Sequence, residues 1–254
     1  MLLMEILIAD IVNCILHSVS DKDKIQFLSV NQQAHSLKNH IYYFDEINTH
    51  KIQKLWYYDR FTNVRTYSYN KLPKNIRHLT FENDFSQDIT DAIPENIIYL
   101  KFGHLFNKDI KGCIPSSVKH LTFGSCFNKD ISGAIPINVT HLYFGFYFNQ
   151  NIKGSIPLNI THLTFGSSFN KDIKDAIPFG VTHLTFGYSF NQKINDAIPS
   201  SVTHLAFGHD FSQDIRNIPF SVTHLTLNHS YNIWMVLRHI DNVQINNYVI
   251  NWVN

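Results

Sequence analysis

The prolines of this chain recur at a fixed interval. Neighbouring prolines lie 21 residues apart, except that the last interval is 20 residues: Pro73, Pro94, Pro115, Pro136, Pro157, Pro178, Pro199 and Pro219. A period between about 20 and 50 residues is typical of a solenoid, a propeller or another tandem array. The chain has 254 residues, and the copies occupy roughly residues 50 to 254. Most of the protein therefore consists of one small unit repeated in tandem.

Two apolar columns define the unit when the copies are aligned on proline. Residues 198–215 show the pattern clearly and read IPSSVTHLAFGHDFSQDI. The leucine column contains Leu79, Leu100, Leu121, Leu142, Leu163, Leu184, Leu205 and Leu225. The phenylalanine column, two residues later, contains Phe81, Phe102, Phe123, Phe144, Phe165, Phe186 and Phe207, followed by Leu227.

Each copy has one segment with strand periodicity. Leu121 and Phe123 fall on one side of an extended strand, and His120 and Thr122 fall on the other. No ten-residue stretch of the repeat has helical spacing, so turns and short 3₁₀ segments should complete each copy. We expect the proline to precede the strand. The glycine that follows the strand phenylalanine should let the chain turn away from the sheet.

A single copy buries too few side chains to fold alone, so the copies must stack in a parallel ladder. The first stacked copy is degenerate, with Ile52, Leu55, Tyr57 and Phe61 at the repeat spacing but without glycine. At the other end, the segment Ile240 to Ile245 repeats the strand spacing. These end segments should cap an open sheet. The predicted boundaries are a helical module at 1–48, an N-terminal capping repeat at 49–72, tandem repeats at 73–228 and a C-terminal cap at 229–254.

Charge and cysteine content exclude several classes of function. The chain has 21 Lys and Arg against 20 Asp and Glu, so we expect no binding to nucleic acid or to a membrane surface. Cys14, Cys113 and Cys126 share no metal-ligand or redox spacing. No catalytic triad, carboxylate pair or phosphate loop is evident. We therefore predict no catalytic residue, no metal and no cofactor.

The first residues are apolar, but they do not form a typical signal peptide. Glu5 and Asp10 interrupt the stretch, which lacks a basic start and a small-residue cleavage site. No stretch reaches the roughly 18 apolar residues that a membrane span needs. The sequence therefore predicts a soluble intracellular protein.

The spacing of a hydrophobic residue, leucine and a second hydrophobic residue resembles a leucine-rich repeat. The strings IPSSVTHLAFG and FNKDI, followed by IP, more narrowly resemble FNIP repeats, which are known chiefly from amoebae and giant viruses. The resemblance implies a mostly β, leucine-rich-repeat-like solenoid of about ten 21-residue coils with a parallel β-ladder. A parallel β-helix is the alternative fold. The expected location is the cytoplasm, or the host cytoplasm if the protein is viral.

The first 48 residues have helical rather than strand spacing. One apolar stripe recurs at intervals of three and four residues, and consists of Ile8, Ile11, Val12, Ile15, Leu16 and Val19. Ser20 and Asp23 form a variant capping box that should begin a second helix. Phe27, Val30, Ala34 and Leu37 continue at helical spacing. So short a module should pack against the array, a partner or both.

These residues resemble an F-box. Ile8-Ala9-Asp10-Ile11 stands where that family has Leu-Pro-x-Glu-Ile, with Ala9 in place of proline and His35 near a common tryptophan position. The resemblance implies docking onto a Skp-type adaptor of a cullin-RING ubiquitin ligase. The residues expected to contact this adaptor are Ile8, Ala9, Ile11, Ile15, Leu16, Val19 and Leu28.

Histidine occupies one column of the strand in nearly every copy. The ladder residues are His120, His141, His162, His183 and His204, with His78 and His224 in register and Tyr99 interrupting the column. They should face solvent on the concave side as stacked, mutually hydrogen-bonded rings. A contribution to partner binding and a metal site are the alternatives. The absence of a carboxylate or thiolate in the column disfavours metal. Like charges about 4.8 Å apart should lower the pKa of these histidines.

A second polar column contains Asn107, Asn128, Asn149, Asn170 and Asn191, with Ser86 and Ser212 in register. We expect an amide ladder along the stack, with ligand contact as the alternative.

The middle coils are nearly interchangeable, so specificity requires distinctive side chains elsewhere. The anchor residues predicted to bind a partner are Trp56, Tyr58, Arg60, Phe146, Tyr147, Trp234 and Arg238. The sequence thus predicts a monomeric, non-catalytic adaptor that recruits an unknown protein substrate to a ubiquitin ligase. The alternative is a scaffold or decoy that binds a protein with no ubiquitin link.

Overall fold

The computed structural model describes Leu16 and residues 19–30, 32–228 and 249–253. Within these residues, short helices precede the repeats: α1 (Asp21–Phe27), α2 (Gln32–Ser36) and α3 (Thr49–Ile52). Two 3₁₀ turns lie at Leu37–Asn39 and Tyr58–Arg60. The strands are β1 (Ile47–Asn48), β2 (Asn63–Thr66), β3 (His78–Phe81), β4 (Tyr99–Lys101), β5 (His120–Thr122), β6 (His141–Tyr143), β7 (His162–Thr164), β8 (His183–Thr185), β9 (His204–Ala206), β10 (His224–Asn228) and β11 (Val249–Val253).

The strands form one sheet of eleven strands in sequence order, and every pair is parallel. The columns predicted from the sequence pair in register, for example Leu121 with Leu142 and Leu142 with Leu163. Each coil contributes one strand to this sheet and returns through turns. The predicted leucine-rich-repeat-like solenoid is therefore confirmed.

A bulge at the start of each strand determines which residues face the core. The N–H groups of Thr161 and His162 both donate to the Thr140 carbonyl, at 2.8 and 3.1 Å, and the same pair of bonds recurs from β3 to β10. Strict alternation would place Ile160 and Leu163, three residues apart, on opposite faces. The extra residue of the bulge shifts the in–out alternation of side chains by one position, so Ile160 and Leu163 are both buried.

Two columns of phenylalanine rings fill the centre of the coils. Within a coil, the strand phenylalanine stacks on the phenylalanine of the following turn, as Phe144 does on Phe148 at 3.8 Å between ring centroids. Between coils, Phe144 and Phe165 stack at 5.6 Å, and Phe148 and Phe169 stack at 6.2 Å. Each buried ring thus obtains much of its packing from the neighbouring coils.

The glycine after each strand is required by close packing between coils. A Cβ atom on Gly166 would lie 1.9 Å from the carbonyl oxygen of Gly145, and the same overlap recurs from Gly103 to Gly208. Positive φ angles occur instead in the following turn, for example at Gly133 and Asp175. The chain turns away from the sheet after this glycine as expected, but the glycine itself is required because the neighbouring coil leaves no space for a side chain.

The asparagine column forms the expected ladder, in which each asparagine side chain is hydrogen-bonded to the backbone of the next coil. The Oδ1 atom of Asn149 accepts from the backbone N–H of Asn170 at 3.0 Å. Asn170 accepts in the same way from Asn191, and the column ends when Asn191 accepts from Ser212 N–H at 3.0 Å. These bonds join successive coils outside the sheet.

The described part of the N-terminal module packs directly on the array. Asp21 and Asp45 exchange hydrogen bonds between carboxylate and backbone N–H, at 2.6 and 2.7 Å. Asp21 also forms a buried ion pair with Lys24 at 2.8 Å. Leu28 belongs to the same apolar core as the repeats.

The two ends of the array differ from the sequence prediction. Ile52 lies in α3, and Val64, rather than Leu55, occupies the leucine column by pairing with Leu79. The sheet also begins at β1, inside the range predicted to be helical. The segment Ile240 to Ile245 lies outside the described residues, and the strand that pairs with β10 is β11.

Candidate interaction surfaces

The outer face of the sheet carries a continuous stack of rings. Centroids of successive histidines lie 4.1 to 4.2 Å apart from His120 to His224. Tyr99 continues the stack at 4.2 Å from His78 and 4.1 Å from His120. The rings are stacked as predicted, but they are not bonded to each other. From His141 to His224, each ring is hydrogen-bonded to the preceding threonine, as between His162 Nδ1 and Thr161 Oγ1 at 2.9 Å.

The stack lowers the pKa of its histidines. Partial burial is the larger cause for His141, His162 and His183, and the charges of other histidines in the column are the smaller cause. The direction matches the sequence prediction, whereas the order of causes does not. Packing against neighbouring rings removes water from each imidazole, and this disfavours its charged form.

The geometry of the stack does not suit a shared metal ion. Stacked, nearly parallel rings direct equivalent nitrogen lone pairs along parallel lines, so the lone pairs cannot converge on one ion as tetrahedral coordination requires. Within the residues that the structure describes, no cluster of three His, Cys, Asp or Glu side chains could hold a metal ion. No described helix has the length and apolar character needed to cross a membrane.

The predicted partner-binding residues lie at separate places on the array. The Trp56 side chain is 55% exposed, and its ring centroid lies 5.8 Å from that of His35. Tyr58 donates its hydroxyl to the Lys71 carbonyl, and burial, with a smaller effect of neighbouring Asp59, raises the pKa of Tyr58 to about 12. Arg60 lies over the Tyr42 ring at 5.1 Å.

The remaining predicted anchors are in the middle of the array and at its C-terminal end. Phe146 and Tyr147 are exposed in the turn after β6, and their ring centroids lie 4.7 Å apart. Trp234 and Arg238 lie outside the described residues.

The predicted adaptor-binding residues are only partly described. Leu16 and Leu28 are buried, and Val19 is partly buried against the same core. Ile8, Ala9, Ile11 and Ile15 lie outside the described residues. The exposed apolar side chains near α1 are instead Phe27, at 55%, and Val30, at 76%. The helical spacing could not distinguish them from core positions.

One exposed apolar column was missed by the sequence reasoning. Ile137, Leu158 and Phe179 each follow the proline of consecutive coils, and each is more than half exposed. Phe220 takes the same place two coils later. The signal was available, because this position varies between copies while the buried columns do not.

Comparisons with known proteins agree with this architecture. The family model described as FNIP Repeat matches residues 69–105, 106–147, 148–189 and 170–210, which together are more than half of the chain. A crystal structure of CroV588, described as a novel circular LRR protein structure, is 39% identical with a TM-score of 0.63. The match covers 68% of this chain and 28% of CroV588, so this chain spans less than a third of that protein. No curated protein matches the chain.

Proposed function

Because this chain belongs to the FNIP repeat family and shares its leucine-rich-repeat-like solenoid, we propose that it is a non-catalytic adaptor between proteins. Solenoid repeats of this kind are generally non-catalytic, and they present long rows of side chains for binding. In the proposed role, the repeats recruit a protein substrate, and the N-terminal module docks onto a Skp-type adaptor of a cullin-RING ubiquitin ligase in the cytoplasm.

The main support for partner binding is the contrast between the uniform core and the variable turns. The buried columns are nearly identical in every copy, whereas exposed aromatic side chains differ from coil to coil. Phe146 and Tyr147 are 49% and 53% exposed, and Trp56 is 55% exposed. Exposed aromatic residues are typical anchors of protein interfaces. Trp234 and Arg238 are proposed to extend this surface at the other end.

Support for adaptor docking comes from the exposed apolar residues of the N-terminal segment. Leu28 fastens the segment to the core, while Phe27 and Val30 beside it are exposed to solvent. Apolar side chains held on a fixed segment provide a surface for a helical partner.

A pull-down with a purified Skp-type adaptor tests this docking. The parent chain should capture the adaptor, and Ile11→Asp, Ile15→Asp or Phe27→Asp should lower capture about tenfold, because a carboxylate in an apolar contact remains unpaired. Phe179→Asp is the matched control, since Phe179 is exposed on the array, and it should capture the adaptor normally. Failure of the parent chain to capture any Skp-type adaptor would exclude the ubiquitin role.

The second candidate is a scaffold or decoy that binds a protein through its repeats with no ubiquitin link. The burial of Leu16 and Leu28 in the repeat core favours this candidate, because these two side chains already pack inside the chain and are not exposed for contact with an adaptor. The same pull-down separates the candidates, since a scaffold retains its protein partner without capturing the adaptor.

A further inference from the structure

Charge is distributed unevenly over the outer face of the sheet. Three side chains of each coil lie on this face: the residue in the histidine column, the residue before it and the residue two positions after it. From β6 to β10, all fifteen such positions are Thr, His, Tyr or Ala. From β2 to β5, four of the twelve positions are cationic and none is Asp or Glu. These cations are Arg65, Arg77, Lys101 and Lys119.

Three of these cations surround one exposed ring. Arg77, Lys101 and Lys119 belong to consecutive coils, and the strand register places Tyr99 between them. Tyr99 is 41% exposed and is held between His78 and His120 by the ring stack. The cationic patch, defined as Arg77, Tyr99, Lys101 and Lys119, therefore has a rigid centre.

The charges of the patch are not neutralised by nearby carboxylates. Arg65, outside the patch, forms ion pairs with Glu46 at 2.6 Å and Glu82 at 3.9 Å. Among the residues that the structure describes, neither Arg77, Lys101 nor Lys119 forms a salt bridge, and all three are exposed.

Two neighbouring groups modify this environment without neutralising it. Arg77 donates a hydrogen bond to the Asn96 carbonyl at 3.2 Å. Asp84 lines the same shallow cavity as Lys101 but forms no ion pair with it. The patch thus retains three cations within three coils.

We propose that the cationic patch binds an extended acidic segment of the protein partner that the repeats recruit. This inference rests on the proposed recruiting function and specifies the chemistry of the partner. Carboxylates of the segment pair with Arg77, Lys101 and Lys119, and an apolar or aromatic side chain packs on Tyr99. Arg77 and Lys119 are two strand spacings apart, about 9.6 Å, which corresponds to about three residues of an extended peptide.

A protein segment fits this surface better than a nucleic acid does. A phosphate backbone is bound through many distributed cations, whereas the face beyond β5 has no Lys or Arg from β6 to β10. The formal net charge of the whole chain is only +1. The neutral Thr and His columns instead offer hydrogen-bonding groups over which a peptide can continue.

The test measures binding of a fluorescent polyglutamate peptide of about ten residues to the full chain by anisotropy. The triple variant Arg77→Gln, Lys101→Gln, Lys119→Gln should bind at least about tenfold more weakly, because three exposed ion pairs are lost together. The control variant Lys111→Gln, Lys129→Gln, Lys174→Gln removes the same charge from exposed positions elsewhere. It should bind like the parent chain, and thermal melting should show all three proteins folded.

Several results would overturn the proposal. These are no binding by the parent chain, equal losses in the triple variant and its control, or tighter binding of a single-stranded RNA than of polyglutamate. Capture of the Skp-type adaptor is measured on the parent chain and on the triple variant. If the parent chain captures the adaptor but does not bind the peptide, only this inference fails. If the parent chain binds the peptide but does not capture the adaptor, the ubiquitin role fails and the patch stands.

Discussion

Two positions of the repeat are glycine in many copies, and glycine is needed at each for a different reason. Gly166 is packed against the Gly145 carbonyl, so its position has no room for a side chain. Gly133 has a φ of 65° and open space around it. The equivalent residue in another coil is Asp175, with a φ of 57°. The first position therefore requires the absence of a Cβ atom, whereas the second requires only tolerance of the left-handed conformation.

This difference predicts opposite outcomes for two substitutions. Gly166→Ala should destabilise the chain by about 3 kcal/mol, because its Cβ would lie 1.9 Å from a backbone oxygen that can move only with its coil. Gly133→Asp should cost about 1 kcal/mol or less. Denaturant unfolding of both variants measures the difference. Equal costs would contradict the assignment of close packing to Gly166.

The ring stack on the sheet makes the stability of its strands depend on pH. The folded pKa of His141, His162 and His183 lies below the unfolded value of about 6.5. A group whose folded pKa is lowered takes up protons more readily when unfolded. Its stabilising contribution is therefore fully present above about pH 6.5 and is lost as pH falls through the folded pKa values.

We expect the melting temperature to fall by about 3 °C or more between pH 7.5 and pH 5. Replacing His141, His162 and His183 by Tyr should reduce this fall, because Tyr99 shows that a phenol ring fits the column at 4.1 to 4.2 Å. Scanning calorimetry at both pH values provides the measurement. A parent chain whose melting temperature does not change over this range would refute the expected role of the stack.

The molecule as a whole is a linear series of contacts between neighbouring coils. From Phe102 to Phe186, each strand phenylalanine stacks on its equivalents in the coils before and after it, and each strand pairs only with its neighbours. Stability should therefore be approximately a sum of coil and interface contributions. Removal of one complete coil brings two coils with the same buried columns into contact, so the new interface retains the apolar packing.

Deletion of residues 137–157, one 21-residue period, should give a shorter chain that still unfolds cooperatively. The junction joins Pro136 to Leu158 and preserves the repeat pattern. Deletion of residues 137–147 is the control, because it removes β6 but leaves the rest of its coil, and it should lower the melting temperature more than the full-period deletion does. Circular dichroism and thermal melting compare the two deletions. A random-coil spectrum for the full-period deletion would contradict the stacked architecture.

The regular part of the fold could be predicted because every copy carries the same information. Leu121, Phe123 and His120 belong to columns that recur with little change, so the strand, its faces and the parallel pairing followed from periodicity. The ends have no such redundancy. The repeat spacing placed Leu55 in the leucine column, and only strand pairing showed that Val64 takes that place.

The sequence by itself determined the period, the buried columns and the stacking in register, since an apolar column is buried best against its own copy. The tertiary structure alone decided which surface each remaining side chain occupies. Phe27 is exposed while Leu28 is buried. Arg77 and Lys119 flank Tyr99 in the sheet, although each lies about 20 residues from it in the sequence. Exposure and the proximity of charges depend on what packs beside a residue, and that information comes from other coils rather than from the local pattern.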